Sequence, residues 1–118
     1  MSKHNKIGIK GEQIAEGFLL NNGYSIINRN WRAGKKEVDI IALAGNMVVF
    51  VEVKTRSGTK FLFPEEAVNY RKQQYLKAAA VIFMDTFPQY VNIRFDIISI
   101  VMNGEAVKEI MHFEEAFH

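Results

Sequence analysis

Hydrophobic positions recur along the chain with two periods, and the switches between them mark the elements. Ile14, Ala15, Phe18 and Leu19 stand at helical spacing and Asn21-Asn22-Gly23 follows as a C-terminal stop, which predicts a first helix over residues 11–22. Residues 24–31 alternate loosely and are rich in aromatic and β-branched side chains, the signature of a strand. Residues 37–43 and 47–55 read as two more strands joined by a tight turn at Gly45-Asn46. Val48-Val49-Phe50-Val51 is an unbroken apolar run, so this strand should be central and covered on both faces. After a loop over residues 57–63, Pro64 followed by Glu65-Glu66 signals a helix start. The second helix is expected to run to about Met84, with Val68, Tyr75, Leu76, Ala79 and Phe83 on its core face. Residues 91–100 form a strand, Asn103-Gly104 a turn and residues 106–112 a last edge strand. The order α-β-β-β-α-β-β is an α/β (α+β) mixed sheet, with a helix on each side or both on one.

Composition narrows the classes. A chain of 118 residues without linkers or repeats is expected to be one domain. No cysteine is present, which removes disulfides, zinc ribbons, Fe–S clusters and thiol catalysis. No apolar run approaches the ~20 residues that span a membrane. The basic start Met1-Ser2-Lys3-His4-Asn5-Lys6 is followed by no apolar signal core, which gives a cytoplasmic expectation. The formal net charge is only +2, but its distribution is uneven. Up to Lys77 there are 13 basic and 7 acidic residues, and beyond it 2 basic and 6 acidic ones. Such asymmetry suits an electropositive region facing a polyanion, unless the two halves interleave and average the field.

The candidate chemistry lies in Glu37-Val38-Asp39 and Val51-Glu52-Val53-Lys54. If the hairpin closes symmetrically on Gly45-Asn46, Asp39 falls opposite Glu52 and Glu37 opposite Lys54. All four side chains then share one face, with Val38, Ile40, Val51 and Val53 on the other. Opposed like charges destabilise a sheet unless a proton, a cation or Lys54 compensates them. A hard divalent ion such as Mg²⁺ (or Mn²⁺) takes a few carboxylate oxygens and keeps several waters. Lys54 would then orient or deprotonate a water, or stabilise developing negative charge, for attack on a phosphodiester. The same residues also read as cross-strand ion pairs, Glu37 with Lys54 and Asp39 with an arginine.

Glu12 on the first helix is a candidate additional ligand, or else a solvated glutamate favoured by the positive end of a helix. Arg29, Trp31, Arg32, Lys35 and Lys36 precede the acidic strand, and Arg56, Lys60, Arg71 and Lys72 follow Lys54. Arg32, Lys36, Arg56 and Lys72 are the candidate nucleic-acid-binding residues of these groups. Trp31 is expected to be partly buried at a strand end rather than stacked on a base. His4, His112 and His118 lack metal-ligand spacing, and Gly8, Gly11 and Gly17 lack the spacing of a phosphate loop.

Residues 37–42 and 49–56, read together, resemble the core motif of the PD-(D/E)xK nucleases. More narrowly the chain is similar to the YraN family of small bacterial proteins, which are endonuclease-like and similar in fold to archaeal Holliday-junction resolvases. Matching stretches are Gly11-Glu12, Arg29-Asn30-Trp31-Arg32, Glu66-Ala67-Val68, Arg71-Lys72-Gln73-Gln74 and Arg94-Phe95-Asp96, so that the likeness covers about residues 8–101. It implies a restriction-endonuclease-like αβββαβ core with an extra C-terminal strand. It also implies Asp39 and Glu52 as metal-binding acids, Lys54 as the catalytic lysine and Glu12 as a helix carboxylate of the same group. Two positions depart from the pattern: Lys36 and Leu62 stand where the family usually has glycine. The expected activity is metal-dependent hydrolysis of structured or branched DNA; the alternative is a nucleic-acid-binding module that retains the nuclease fold without turnover. No membrane partner is expected. Paired cutting would call for a homodimer, for which no segment identifies an interface.

Overall fold

The computed structural model describes residues 3–58 and 68–118. Its elements are α1 (Lys3–Asn21), β1 (Ser25–Ala33), β2 (Lys36–Ala44), β3 (Met47–Ser57), α2 (Tyr70–Thr86), β4 (Asn92–Asn103) and β5 (Ala106–Phe117). They build one five-stranded sheet in the order β1-β2-β3-β4-β5. All neighbours are antiparallel except β3 and β4, which run parallel. A parallel pair needs a crossover, and α2 supplies it.

The helices lie on opposite faces. Ala15 and Leu19 of α1 pack with Ile40, Ala42, Val49, Val51, Ile98 and Ile100. Leu76, Ala79, Ala80 and Phe83 of α2 pack with Val38, Ile41, Val48, Phe50, Phe95 and Ile97. Both faces of β3 are therefore covered, and Val48 to Val51 are buried as the apolar run requires. Trp31 is half-buried and sets its ring edge-on to Phe83, 5.4 Å between centroids.

Several boundaries differ from the expectation. The first helix begins at Lys3 rather than residue 11 and carries Gly8, Gly11 and Gly17 within it. Glu12 is therefore a mid-helix residue, and the reading of it as a glutamate at a helix start does not hold. The Pro64-Glu65-Glu66 signal, like Leu62 and Lys60, lies outside the described residues. Val68 is buried yet precedes the helix, because Asn69 is the cap: its backbone is extended and its side-chain Oδ1 accepts the Lys72 N–H at 2.9 Å. The last strand runs five residues further than expected, to Phe117. A buried polar cluster holds that extension. Asp96 accepts from both Arg94 Nε and Nη2 (2.8 and 2.7 Å), lies 2.6 Å from His112 Nε2, and accepts the Glu115 N–H at 3.0 Å. Between Phe95 and Ile97, β4 advances two residues while β5 advances four, so β5 bulges around this carboxylate.

Lys36, where the family usually has glycine, is an ordinary strand residue paired with Ala33. The positive φ needed by the β1–β2 turn is taken by Gly34, at 63°.

Candidate active site

The β2–β3 hairpin closes in the register the sequence predicts: Ala44↔Met47, Leu43↔Val48, Ala42↔Val49, Ile41↔Phe50 and Ile40↔Val51. The paired ladder stops there, one residue short of Asp39 and Glu52. Instead of a strand hydrogen bond, the Val53 N–H donates 2.9 Å to Asp39 Oδ2. Asp39 thus stands in the gap where the two strands part.

The cause lies in β1 and β2. Regular alternation would put Val38 and Ile40 on one face. Ile40 instead packs on the α1 side and Val38 on the α2 side, so the face switches across Asp39. The paired strand switches at the same level: Arg29 pairs with Glu16 of α1, while Trp31 packs against the α2 cluster. Between them Asn30 takes φ 49°, a left-handed conformation that asparagine tolerates. The expectation that Val38, Ile40, Val51 and Val53 share a face therefore fails at Val38.

Helix α1 closes the gap from its side. A Cβ on Gly11 would lie 1.8 Å from Thr55 Oγ1 and 2.8 Å from Thr55 Cβ, so only glycine allows this approach of helix to strand. The next residue, Glu12, lines the same cleft as Asp39, Glu52, Lys54 and Lys72, a space of about 320 Å³. The Asn30 amide orientation that satisfies both neighbours donates to Glu12 Oε1 at 2.8 Å and to Glu37 Oε1 at 3.2 Å.

The electrostatics follow from burial. Glu52 is only 4% exposed. Its counter-charges are Lys72 Nζ at 3.3 Å and Lys54 Nζ at 4.0 Å, both from Oε2. Burial raises the Asp39 carboxyl well above the ordinary range, and the facing Glu52 carboxyl adds to this through hydrogen bonding and like charge. The Val53 N–H and the Lys72 charge oppose the shift. Glu12 is pushed up to about 7, first by burial and then by the charges of Asp39 and Glu37, against the Asn30 hydrogen bond.

Not every expected partner appears. Glu37 does not serve Lys54; its carboxylate meets Arg32 at 3.0 Å. Its backbone N–H donates 2.6 Å to the Tyr75 hydroxyl, which in turn donates to the Lys35 carbonyl at 3.1 Å. Tyr75, read from sequence only as a core position, thus ties the β1–β2 turn to α2. Its ring also underlies Lys72 Nζ at 4.5 Å and Lys36 Nζ at 5.9 Å. Arg32 and Arg56 are exposed, whereas Lys36 and Lys72 are half-buried. Lys72, a candidate phosphate contact in the sequence, lies nearer Glu52 than Lys54 does.

Among the described residues no group of three or more His, Cys, Asp or Glu is arranged to hold a metal ion. The adjoining pair Asp39 and Glu52 still fits a hard divalent ion, because two carboxylates with the remaining positions left to water is the donor set Mg²⁺ ordinarily takes.

The fold defines the class. Hjc of Archaeoglobus fulgidus, a Holliday junction resolvase, is similar in structure over 87% of this chain and 72% of its own, with a TM-score of 0.52 at 20% identity. The architecture is thus the resolvase-type nuclease fold. Within it, the chain belongs to the uncharacterised protein family UPF0102, whose profile matches residues 11–100. A UPF0102 protein of Phocaeicola vulgatus is 43% identical over all of this chain and 97% of its own length. One of Thermodesulfovibrio yellowstonii is also 43% identical, over 95% of this chain and 96% of its own.

Proposed function

We propose that this protein is a metal-dependent endonuclease that hydrolyses phosphodiesters in structured or branched DNA. The observation that carries the reading is the confrontation of two carboxyls, Asp39 and Glu52, in a cleft where the β2–β3 ladder opens and two lysines approach. An arrangement of ion pairs alone would give Asp39 an arginine. Here Arg29 is taken by Glu16 and Arg32 by Glu37.

Asp39 and Glu52 would hold Mg²⁺ or Mn²⁺, with Glu12 as a further acid beside them. When bound, such an ion polarises a phosphate oxygen and favours a hydroxide nucleophile at neutral pH. Lys54, 40% exposed at its side chain, would orient the attacking water or stabilise charge on the phosphate. Lys72 neutralises Glu52 and presents its ammonium on the Tyr75 ring to the same cleft. Lys36, Arg32 and Arg56 would contact the flanking phosphates. The likeness in fold to a Holliday junction resolvase favours branched DNA over linear duplex as substrate.

The test is cleavage of linear, flapped, single-stranded and four-way DNA with each divalent metal, beside Asp39→Asn, Glu52→Gln and Lys54→Ala. Each variant should lose cutting by about 10²-fold or more while remaining folded. Undiminished cutting by Asp39→Asn and Lys54→Ala would reject the mechanism. Salt-sensitive DNA binding without turnover under any metal would favour a binding module instead.

A further inference from the structure

Tyr75 does two things that its place in the apolar period of α2 does not require. Its hydroxyl accepts the Glu37 N–H at 2.6 Å and donates to the Lys35 carbonyl at 3.1 Å. Those two backbone groups stand on either side of Lys36, so one side chain of α2 pins the chain before and after that lysine. The ring meanwhile faces two ammoniums, Lys72 Nζ at 4.5 Å and Lys36 Nζ at 5.9 Å from its centroid. Lys72 precedes Tyr75 by three residues, a spacing that puts both on one side of the helix. The two nitrogens are therefore at most about 10 Å apart, which is the axial rise of about three nucleotides in one strand.

Charge says what this arrangement suits. Lys72 and Lys54 share Glu52, and Glu37 is taken by Arg32. Among the described residues Lys36 forms no ion pair, although it is half-buried. A long cationic side chain left free would extend into water rather than bring its charge toward another ammonium. The negative face of the ring holds both cations, and the ties beside Lys36 set where its side chain starts. Lys72 also lines the carboxylate cleft, so the pair stands at the edge of that cleft. We propose that Tyr75 is a positioning residue, setting Lys36 and Lys72 as a paired seat for a backbone phosphate next to the one cut at Asp39 and Glu52. Its hydroxyl proton is already given to Lys35, so the tyrosine acts through the lysines and does not itself hold the phosphate. The seat rests on the nuclease reading for its ligand, a DNA strand laid across the cleft, and binding and cutting are therefore read separately.

Binding is read by fluorescence anisotropy of a labelled four-way DNA in EDTA, over a salt series from about 50 to 200 mM. Each phosphate contact contributes about 0.9 to the slope of log affinity against log salt. Lys36→Met should weaken binding about tenfold and flatten the slope by about 0.9. Tyr75→Leu should do at least as much although it removes no charge, because ring and ties are lost together. Tyr75→Phe keeps the ring and its packing, and should lose about threefold by freeing the turn alone. The losses should not add: Lys36→Met/Tyr75→Leu should bind as Tyr75→Leu does. Circular dichroism and thermal unfolding are recorded for every variant. A Tyr75→Leu protein that melts lower but keeps the wild-type slope would make Tyr75 merely structural and overturn the proposal. Additive losses in the double variant, or a wild type that binds no DNA at the low-salt end, would overturn it as well. Cleavage of the same DNA with Mg²⁺ or Mn²⁺ separates the two readings. Cutting with an unchanged slope in Tyr75→Leu would sink the seat alone, whereas the flattened slope without cutting under any metal would keep the seat and sink the nuclease.

Discussion

Removing the charge of Asp39 should make the metal-free protein more stable. Two carboxylates in contact repel by about 4 kcal/mol at the effective dielectric of a protein site. Lys72 at 3.3 Å and Lys54 at 4.0 Å from Glu52 offset part of this. So does the Val53 N–H on Asp39, and the pair relieves more by retaining a proton. Asparagine keeps an oxygen to accept the Val53 N–H and gains an NH₂ that can donate to Glu52. The net gain for Asp39→Asn is therefore roughly 1–3 kcal/mol, or about 4–10 °C in a domain of this size. Thermal unfolding in EDTA at neutral pH measures it directly. Addition of Mg²⁺ or Mn²⁺ should then raise the wild type, by about 2.7 kcal/mol at a hundredfold excess over Kd, and leave the variant nearly unmoved. An Asp39→Asn protein that melts below the wild type in EDTA would refute the repulsion argument and make Asp39 a structural acceptor. Equal metal-induced shifts in both proteins would refute the metal site itself.

Lys72→Met removes the cation nearest Glu52 and should destabilise the metal-free protein by about 1–2 kcal/mol. By the same step it removes a competitor for the site, so metal titration followed by thermal shift should show tighter binding even as cleavage falls. Gly11→Ala should cost about 1–3 kcal/mol, because the added methyl overlaps Thr55 by more than the ~1 kcal/mol helix gain of alanine returns; chemical denaturation reads the loss. The Asp96 carboxyl supplies the acid limb of the pH dependence. Burial alone would raise it, but His112, Arg94 and the Glu115 N–H together hold it below its ordinary value of 3.8. A depressed folded-state value means that this stabilisation is complete above about pH 4 and is lost as pH falls through the lower folded value. Asp96→Asn should thus cost about 2–4 kcal/mol at neutral pH, and its melting curve should converge on the wild type's in acid.

The hairpin and the acids were legible because both rest on local rules. Gly45-Asn46 fixes the turn, the turn fixes the register, and the register brings Asp39 to the level of Glu52. The full length of α1 was not legible. The apolar periodicity begins only after Gly11, and that glycine is demanded by a contact with Thr55 that lies 44 residues away in sequence. The contacts of Lys72 with Glu52 and of Tyr75 with the β1–β2 turn were not legible for a related reason. Their roles depend on how α2 crosses the end of the sheet, which periodicity alone does not set. The bulge in β5 was invisible because it wraps around Asp96, whose burial is a tertiary fact.

A continuous ladder would have made a worse site. Had β1 to β3 paired regularly through Asn30, Asp39 and Glu52, strand alternation would carry Asp39 and Glu52 to the same side with their backbones fully bonded. The Val53 N–H would then have a strand partner and no reason to meet a carboxylate. The positive φ of Asn30 and the switch of Val38 to the α2 side turn Asp39 into the opening between strands instead. There it faces Glu12 from α1 and Glu52 with Lys72 from the α2 side, so that three acids from three elements line one cleft. Asn30 holds two of the surrounding glutamates through one amide. Like charge collected at a broken ladder is unfavourable for folding and favourable for binding a cation, and strain of this kind persists in a fold where the site needs it.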